Sequence, residues 1–311
     1  WFLYINVVLV VNRSGGILMK KTLIVLTSVA LFSFGAGILP VNTYFAPIKA
    51  SAQYQNPAYT QTETITADGY GVLPQNRPFG QAKLMARRAA VVEAQRNLLE
   101  TVKDVAIDSE TNVEMSMTLN DTIHSEISGV IRGARVIDEE YIPEDGIYRV
   151  TMSVPMYGVG SLGQVVFDNV IGNNQKVPVP APSPAYNPST QLNGNYTGLV
   201  IRARGAGLVR TFCPAIYDTS GRAIYGVYNV DKKYAIDYGV VGYAQGPQGW
   251  DKVRMGSSRA GSNPLVVDIV EVRQRVANKC DVVISVEDAD RILAENRYSH
   301  FLDNYAVMFE I

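Results

Sequence analysis

The sequence predicts an α+β protein of two domains joined by a stiff spacer. Three observations predict it. Residues 62–160 hold one long run of helical periodicity among short alternating segments. Val177-Pro-Val-Pro-Ala-Pro-Ser-Pro184 is an extended, polyproline-like stretch. Residues 196–311 return to short apolar segments separated by turn residues.

The bulk numbers fit a folded chain. Of 311 residues, 47% are hydrophobic and 18% charged. The net charge is −1, from 28 basic and 29 acidic residues, so no excess positive charge draws in nucleic acid or an anionic membrane. Two cysteines and two histidines argue against a Cys/His metal centre or a His-based enzyme. No cofactor is expected.

The N-terminal region reads as an export signal. Met19 is followed by Lys20 and Lys21, an apolar run from Leu23 to about Leu39, and Ala50-Ser51-Ala52 before Gln53. A basic start, an apolar middle and an Ala-x-Ala end are the parts of a cleavable secretory signal. Cleavage is expected after Ala52. The alternative is an uncleaved anchor, since residues 23–39 just reach bilayer length. In the preferred reading no stable transmembrane span remains after cleavage. Residues 1–18 place their basic residue, Arg13, after an apolar run, and are read as an upstream extension outside the true start. Residues 53–61 read as a flexible lead-in.

In the first domain, Thr64–Gly71 is predicted as a strand ending in Gly69-Tyr70-Gly71. Pro78 opens a long helix to about Val102. Ala82, Ala86, Ala90, Ala94 and Leu98 recur every four residues and give it a face small enough to lie close on a sheet. Arg87, Arg88, Glu93, Arg96 and Glu100 form a solvated outer face. Asn112–Met117 alternates as a strand. Asn120 or Asp121 caps a second helix carrying Ile123, Ile127, Val130 and Ile131, which Gly133 ends. Ala134–Ile142 and Ile147–Tyr157 form a hairpin, with Tyr148, Val150, Met152, Val154 and Met156 on the buried face. The expected order is β-α-β-α-β-β, one sheet with two helices packed on it.

Residues 161–195 read as a Pro/Asn-rich linker. Beyond it the strands are Gly198–Arg204, Phe212–Tyr217, Arg222–Tyr228 after the turn Asp218–Gly221, Leu265–Val272, Asp281–Val286 and Tyr305–Ile311. A short helix starts at Glu287 or Asp288 with Ala289, Ile292 and Leu293 inward. This domain is expected to be a strand-rich α+β module.

Few residues suggest chemistry. Cys213 and Cys280 could pair in an oxidising compartment; two unpaired buried thiols is the equal alternative. Gly158-Val-Gly160-Ser-Leu-Gly163 matches G-x-G-x-x-G, but a proline-rich stretch stands where a ribose-binding acid belongs, so it reads as a flexible exit. Arg259, Gly261 and Ser262 lie in a small, polar loop whose amides could cradle an anion, with a structural loop the plainer reading. Glu287, Asp288 and Asp290 form an acidic cluster that could bind a cation loosely, with helix-start charges the simpler reading. Asp138, Glu139 and Glu140 read as a solvated strand end. His124 and His300 have no triad partners nearby.

One family resemblance emerges. Ala82-x-x-x-Ala86-Arg87-x-Ala89-Ala90-x-x-x-Ala94-x-x-Asn97-Leu98-Leu99-Glu100 is followed by Thr111-x-Val113, Ile131-x-Gly133 and Gly146-x-Tyr148-x-Val150. Over residues 62–157 this pattern resembles the lipoprotein-20 family of Gram-negative envelope proteins, which includes FlgP-like and FlgT N-terminal-domain-like members. The resemblance implies an envelope assembly or scaffold role without catalysis. The family's lipoproteins carry a lipobox cysteine, and no cysteine lies near this leader, which points to a protein without a lipid anchor. Arg259-Ala-Gly261-x-Asn263-Pro264-Leu265 and Ala289-x-x-Ile292-Leu293 resemble a companion module of such proteins. The expectation is a periplasmic or otherwise exported, non-catalytic interaction or assembly protein of a flagellar or other envelope complex, partnered by envelope proteins or by itself. The alternative is a module that binds an anionic envelope component through the Arg259 loop.

Overall fold

A computed structural model describes residues 63–188, 192–274 and 278–311, and a short antiparallel ladder between β1 (Val10–Val11) and β2 (Ile17–Leu18). Trp1–Gln53 and Tyr54–Ile311 are separate compact units. The signal peptide, its cleavage residues Ala50, Ala52 and Gln53, and the lead-in lie outside the described residues. Among the described residues no helix is long and apolar enough to cross a membrane.

The fold is α+β. Its first sheet has the order β3-β5-β4 and is antiparallel throughout, with β3 at Thr64–Val72, β4 at Arg135–Ile142 and β5 at Ile147–Pro155. Helix α1 (Phe79–Lys103) lies across it and buries Ala82, Ala86, Ala90, Ala94, Leu98 and Val102. The predicted small-residue face is therefore the packing face. The sheet answers in kind. A Cβ on Gly69 would overlap the Ala90 carbonyl oxygen and the Ala94 amide, and one on Gly71 would overlap the Ala86 carbonyl oxygen. Helix and strand meet backbone to backbone here, which only glycine permits.

Two expectations for this region need correction. Asn112–Met117 is not a strand: Val113–Leu119 is helix α2. The Asn112 side chain accepts a hydrogen bond from the Met115 amide at 2.9 Å, an N-cap. Val113 and Met117, one turn apart, are buried while Met115 faces out, so the spacing served a helix. Helix α3 (Asp121–Arg132) follows at once, with Asn120 as its cap. The order is thus β-α-α-α-β-β.

The second correction concerns the linker. Residues 161–195 begin with helix α4 (Leu162–Val170), whose Leu162, Val165, Val166 and Phe167 are buried. Ser161 Oγ accepts from the Gln164 amide at 3.1 Å, while Gln164 Oε1 accepts from the Gly160 amide at 2.7 Å. The G-x-G-x-x-G stretch is a doubly capped turn into this helix rather than a flexible exit. Gly158 and Gly160 have positive φ (95° and 75°), and Gly163 backs directly onto the Met156 carbonyl.

The second half holds two four-stranded sheets. One is wholly parallel, in the order β10 (Pro264–Asp268), β6 (Gly198–Arg202), β13 (Val307–Glu310), β9 (Gly242–Ala244). The other is mixed, in the order β11 (Glu271–Gln274), β12 (Lys279–Ile284), β7 (Ile216–Asp218), β8 (Ala223–Tyr225). Helices α5 (Lys232–Tyr238), α6 (Gly246–Arg254) and α7 (Val286–Ser299) complete it. The single strand expected over Leu265–Val272 is two. The Ile269 amide still bonds Arg202 of the parallel sheet, while the next amide, Val270, bonds Val283 of the mixed sheet. The chain changes sheets between these two residues.

The halves share one core. Phe167 of α4 meets Phe212 edge-on at 5.9 Å, and Tyr157 meets the same ring at 5.8 Å. The Cys213 amide bonds the Ile107 carbonyl at 2.8 Å, and Thr211 Oγ1 donates to the carbonyls of Ala106 and Ile107. A polar loop of the first half is thereby stitched to the second.

Candidate functional site

The proline-rich segment is held down by buried acids of α7. Asp290 and Glu295 are each under 5% exposed. Asp290 Oδ1 accepts from the Ser183 amide at 2.8 Å, the Ser183 hydroxyl at 3.1 Å and Arg222 Nη2 at 2.8 Å. Arg222 Nε also donates to Asp218 Oδ2 at 2.9 Å, and Asp218 Oδ1 takes the Ser220 and Arg222 amides. The two oxygens of Glu295 accept the Asn193 and Gly194 amides at 2.8 and 2.7 Å. Prolines leave few amides in such a segment, and those turned inward need an acceptor. Burial pushes the Asp290 and Asp218 carboxyl pKa values up, but hydrogen bonds from Ser183, Ser220 and Arg222 outweigh it and hold both below the usual value.

This cluster was not expected. The sequence reads Asp290 as a helix-start charge and Asp218 as part of a turn. The available signal was position: Asp290 stands three residues before Leu293, on the face that Ala289, Ile292 and Leu293 bury. Glu287 and Asp288 do sit at the helix start, where Ser285 is the cap and exchanges hydrogen bonds with Asp288.

A crevice lies where the two halves meet, lined by Glu63, Tyr157, Asp237, Tyr238 and Arg259 among others. Its volume is about 80 Å³, against roughly 300–1,000 Å³ for sites that enclose an organic ligand. Glu63 is paired with Arg210, and Asp237 with Lys233. Arg259 donates to the last carbonyls of α5, those of Tyr238 and Gly239, and its guanidinium stands 5.5 Å from the Tyr234 ring centre. A cation at a helix C-terminus satisfies orphan carbonyls and the helix dipole. Gly239 has φ of 75°, and a Cβ there would press on the Tyr157 ring. Of the other residues in the expected anion loop, Gly261 packs against Thr197 and Ser262 against Gly256. The geometry makes Arg259 a helix cap. Arg259→Ala should lower stability by about 0.3–1 kcal/mol in urea titration, with no change in phosphate affinity by calorimetry.

Cys213 and Cys280 are free, buried thiols. Burial, followed by the charges of nearby acids, raises both thiol pKa values and opposes the thiolate a nucleophile needs. His124 is exposed on α3, and His300 lies 3.4 Å from Asp303. Asp138 and Glu140 both pair with Arg149, and Glu139 pairs with Arg87. Among the described residues no group of three His, Cys, Asp or Glu is placed to hold a metal ion.

Fold and clusters together define a two-part α+β protein whose buried polar groups fix geometry. The parts match two known families. Residues 58–154 match the LPP20 lipoprotein family, as the residue pattern over 62–157 suggested. Residues 198–310 match the second domain of Treponema pallidum Tp0624. No curated protein matches the chain. LPP20 is a family of lipoproteins, exported proteins of the envelope, and this runs against the expectation of a chain without a lipid anchor.

Proposed function

We propose that this chain is an exported cell-envelope protein that acts by interaction or assembly, without catalysis. The observation that supports this best is the LPP20 likeness of residues 58–154. The geometry is compatible with it. The two modules share one core, and the segment between them is clamped onto α7, so surfaces on both are presented at a set spacing. A rigid two-module body suits a structural component better than a hinged one.

Cell fractionation with an epitope-tagged chain tests the reading. The expected result is recovery in the envelope or periplasmic fraction, with chemical crosslinks to envelope proteins or to itself. Recovery in the cytoplasm would overturn it. A flagellar complex is one instance of such an assembly, and co-purification with basal bodies is the result that would establish it.

A further inference from the structure

Among the described residues the first module carries two uncovered faces on opposite sides, and their charges are opposite. The outer face of α1 exposes Leu84 (61%), Met85 (43%) and Val92 (57%). Arg88 and Arg96 stand on the same face and make no ion pair with any described residue, whereas Arg87 is held by Glu139 and Lys103 by Glu100. Arg88, Ala89, Val92 and Arg96 line a shallow open groove there. Its acid, Glu93, is turned to the Tyr70 amide on β3. This face is apolar with a positive rim.

The opposite face is the side of the sheet that α1 does not cover. Pairing across the strands puts Asp68 beside Thr151 and Asp138, and Tyr70 beside Arg149 and Glu140. Asp138 and Glu140 side chains are 56% and 58% exposed, and one guanidinium, Arg149, serves them both. Asp68 adds a third carboxylate. Tyr70 (48%) and Val72 (72%) supply exposed apolar surface, with Ile137 (57%) at the β4 bulge. This face is apolar with a negative centre, and Arg135, opposite Ser153, puts a second guanidinium at its far end. The β4 edge beside it is exposed from Arg135 to Glu140, while β3 is guarded by Glu93 on the Tyr70 amide and Asn97 on the Asp68 carbonyl.

We propose that these faces dock on each other between copies of this chain, the α1 face of one against the outer sheet face of the next. Charge complementarity selects a second copy as the occupant. Two α1 faces would set arginine on arginine, and two sheet faces would set carboxylate on carboxylate, so a symmetric pair is disfavoured either way. A contact between two different faces leaves one of each unpaired at the ends, and it continues as a ring or a filament. The inference deepens the assembly reading and rests on it, but its test is independent of where the protein resides in the cell.

Sedimentation velocity of the full chain across concentration and salt tests it. Open-ended association that weakens with salt is expected. The pair Arg88→Glu and Arg96→Glu should weaken it about tenfold or more, and so should the pair Asp138→Lys and Glu140→Lys. Mixing the two doubly substituted proteins should restore association, because each then offers the face the other lacks. The chain with all four substitutions should associate like the native one. Circular dichroism checks that each variant is folded, and restoration on mixing cannot come from misfolded chains. A native chain monomeric at all concentrations overturns the proposal. So does association that both pairs leave unchanged, or a mixture of folded variants that stays apart.

Discussion

Gly71→Val is expected to force α1 off its sheet. The cost should reach the upper end of the overpacking range, about 3 kcal/mol or more. The added side chain has nowhere to go. Its first carbon would already overlap the Ala86 carbonyl oxygen, and the next atoms it meets are the backbone of Ala86 and Ala90. Side chains can change rotamer, but a helical carbonyl cannot move without breaking its ladder. Gly69→Val should behave alike against Ala90 and Ala94, and the two together should abolish the folded first module. Gly80→Ala is the matched control. It lies in the first turn of α1 with nothing within 4 Å, so it should be neutral or stabilising by up to about 1 kcal/mol. Urea titration followed by circular dichroism checks all of them. A native-like midpoint for Gly71→Val would mean that helix and sheet do not meet as described.

This contact also shows what was legible in the sequence. Four alanines at four-residue spacing announce a close-packed face whatever lies opposite, because local periodicity and packing agree there. The hairpin of β4 and β5 was legible for the same reason, as Tyr148, Val150, Met152 and Val154 are buried at alternate positions, with only Ser153 between them also buried. Where two periods share a spacing, the sequence was ambiguous. Val113, Met115 and Met117 satisfy a strand's alternation and, through Val113 and Met117, a helix turn. The Asn112 cap decides it, a hydrogen bond that composition does not display. The 161–195 stretch misled because its prolines and asparagines read as a spacer standing apart from both domains. Its amides are accepted by Asp290 and Glu295, more than 100 residues away, and no local pattern records such a partner. Arg259 stands in a loop whose plainer reading is structural, but what it holds is hidden for a similar reason. Its partners are carbonyls of α5, about 20 residues earlier in the chain, in a helix with only Ala235 buried and hence no apolar period to reveal it.

Asp290→Ala is expected to cost about 3–5 kcal/mol at neutral pH, the range for removing one partner of a buried ion pair. The loss has three parts. Arg222, only a quarter exposed, keeps its charge and loses one of its two carboxylates. The Ser183 amide and hydroxyl lose their acceptor, and the proline-rich segment loses a tether to α7. The pH dependence separates this network from packing. Asp290 and Asp218 both have lowered pKa values in the folded protein, so their contribution is fully present above the unfolded carboxylate value of about 3.9 and is lost as pH falls through the folded values. The native chain should therefore lose stability steeply below about pH 4. Asp290→Asn keeps the shape without the charge. It should be weaker at pH 7, and its midpoint should fall less between pH 7 and pH 3, so that the two proteins approach each other in acid. Parallel curves for native and Asp290→Asn proteins would show that the carboxylate adds nothing beyond its volume. The segment would then be held by van der Waals contact rather than by the charged pair of Asp290 and Arg222.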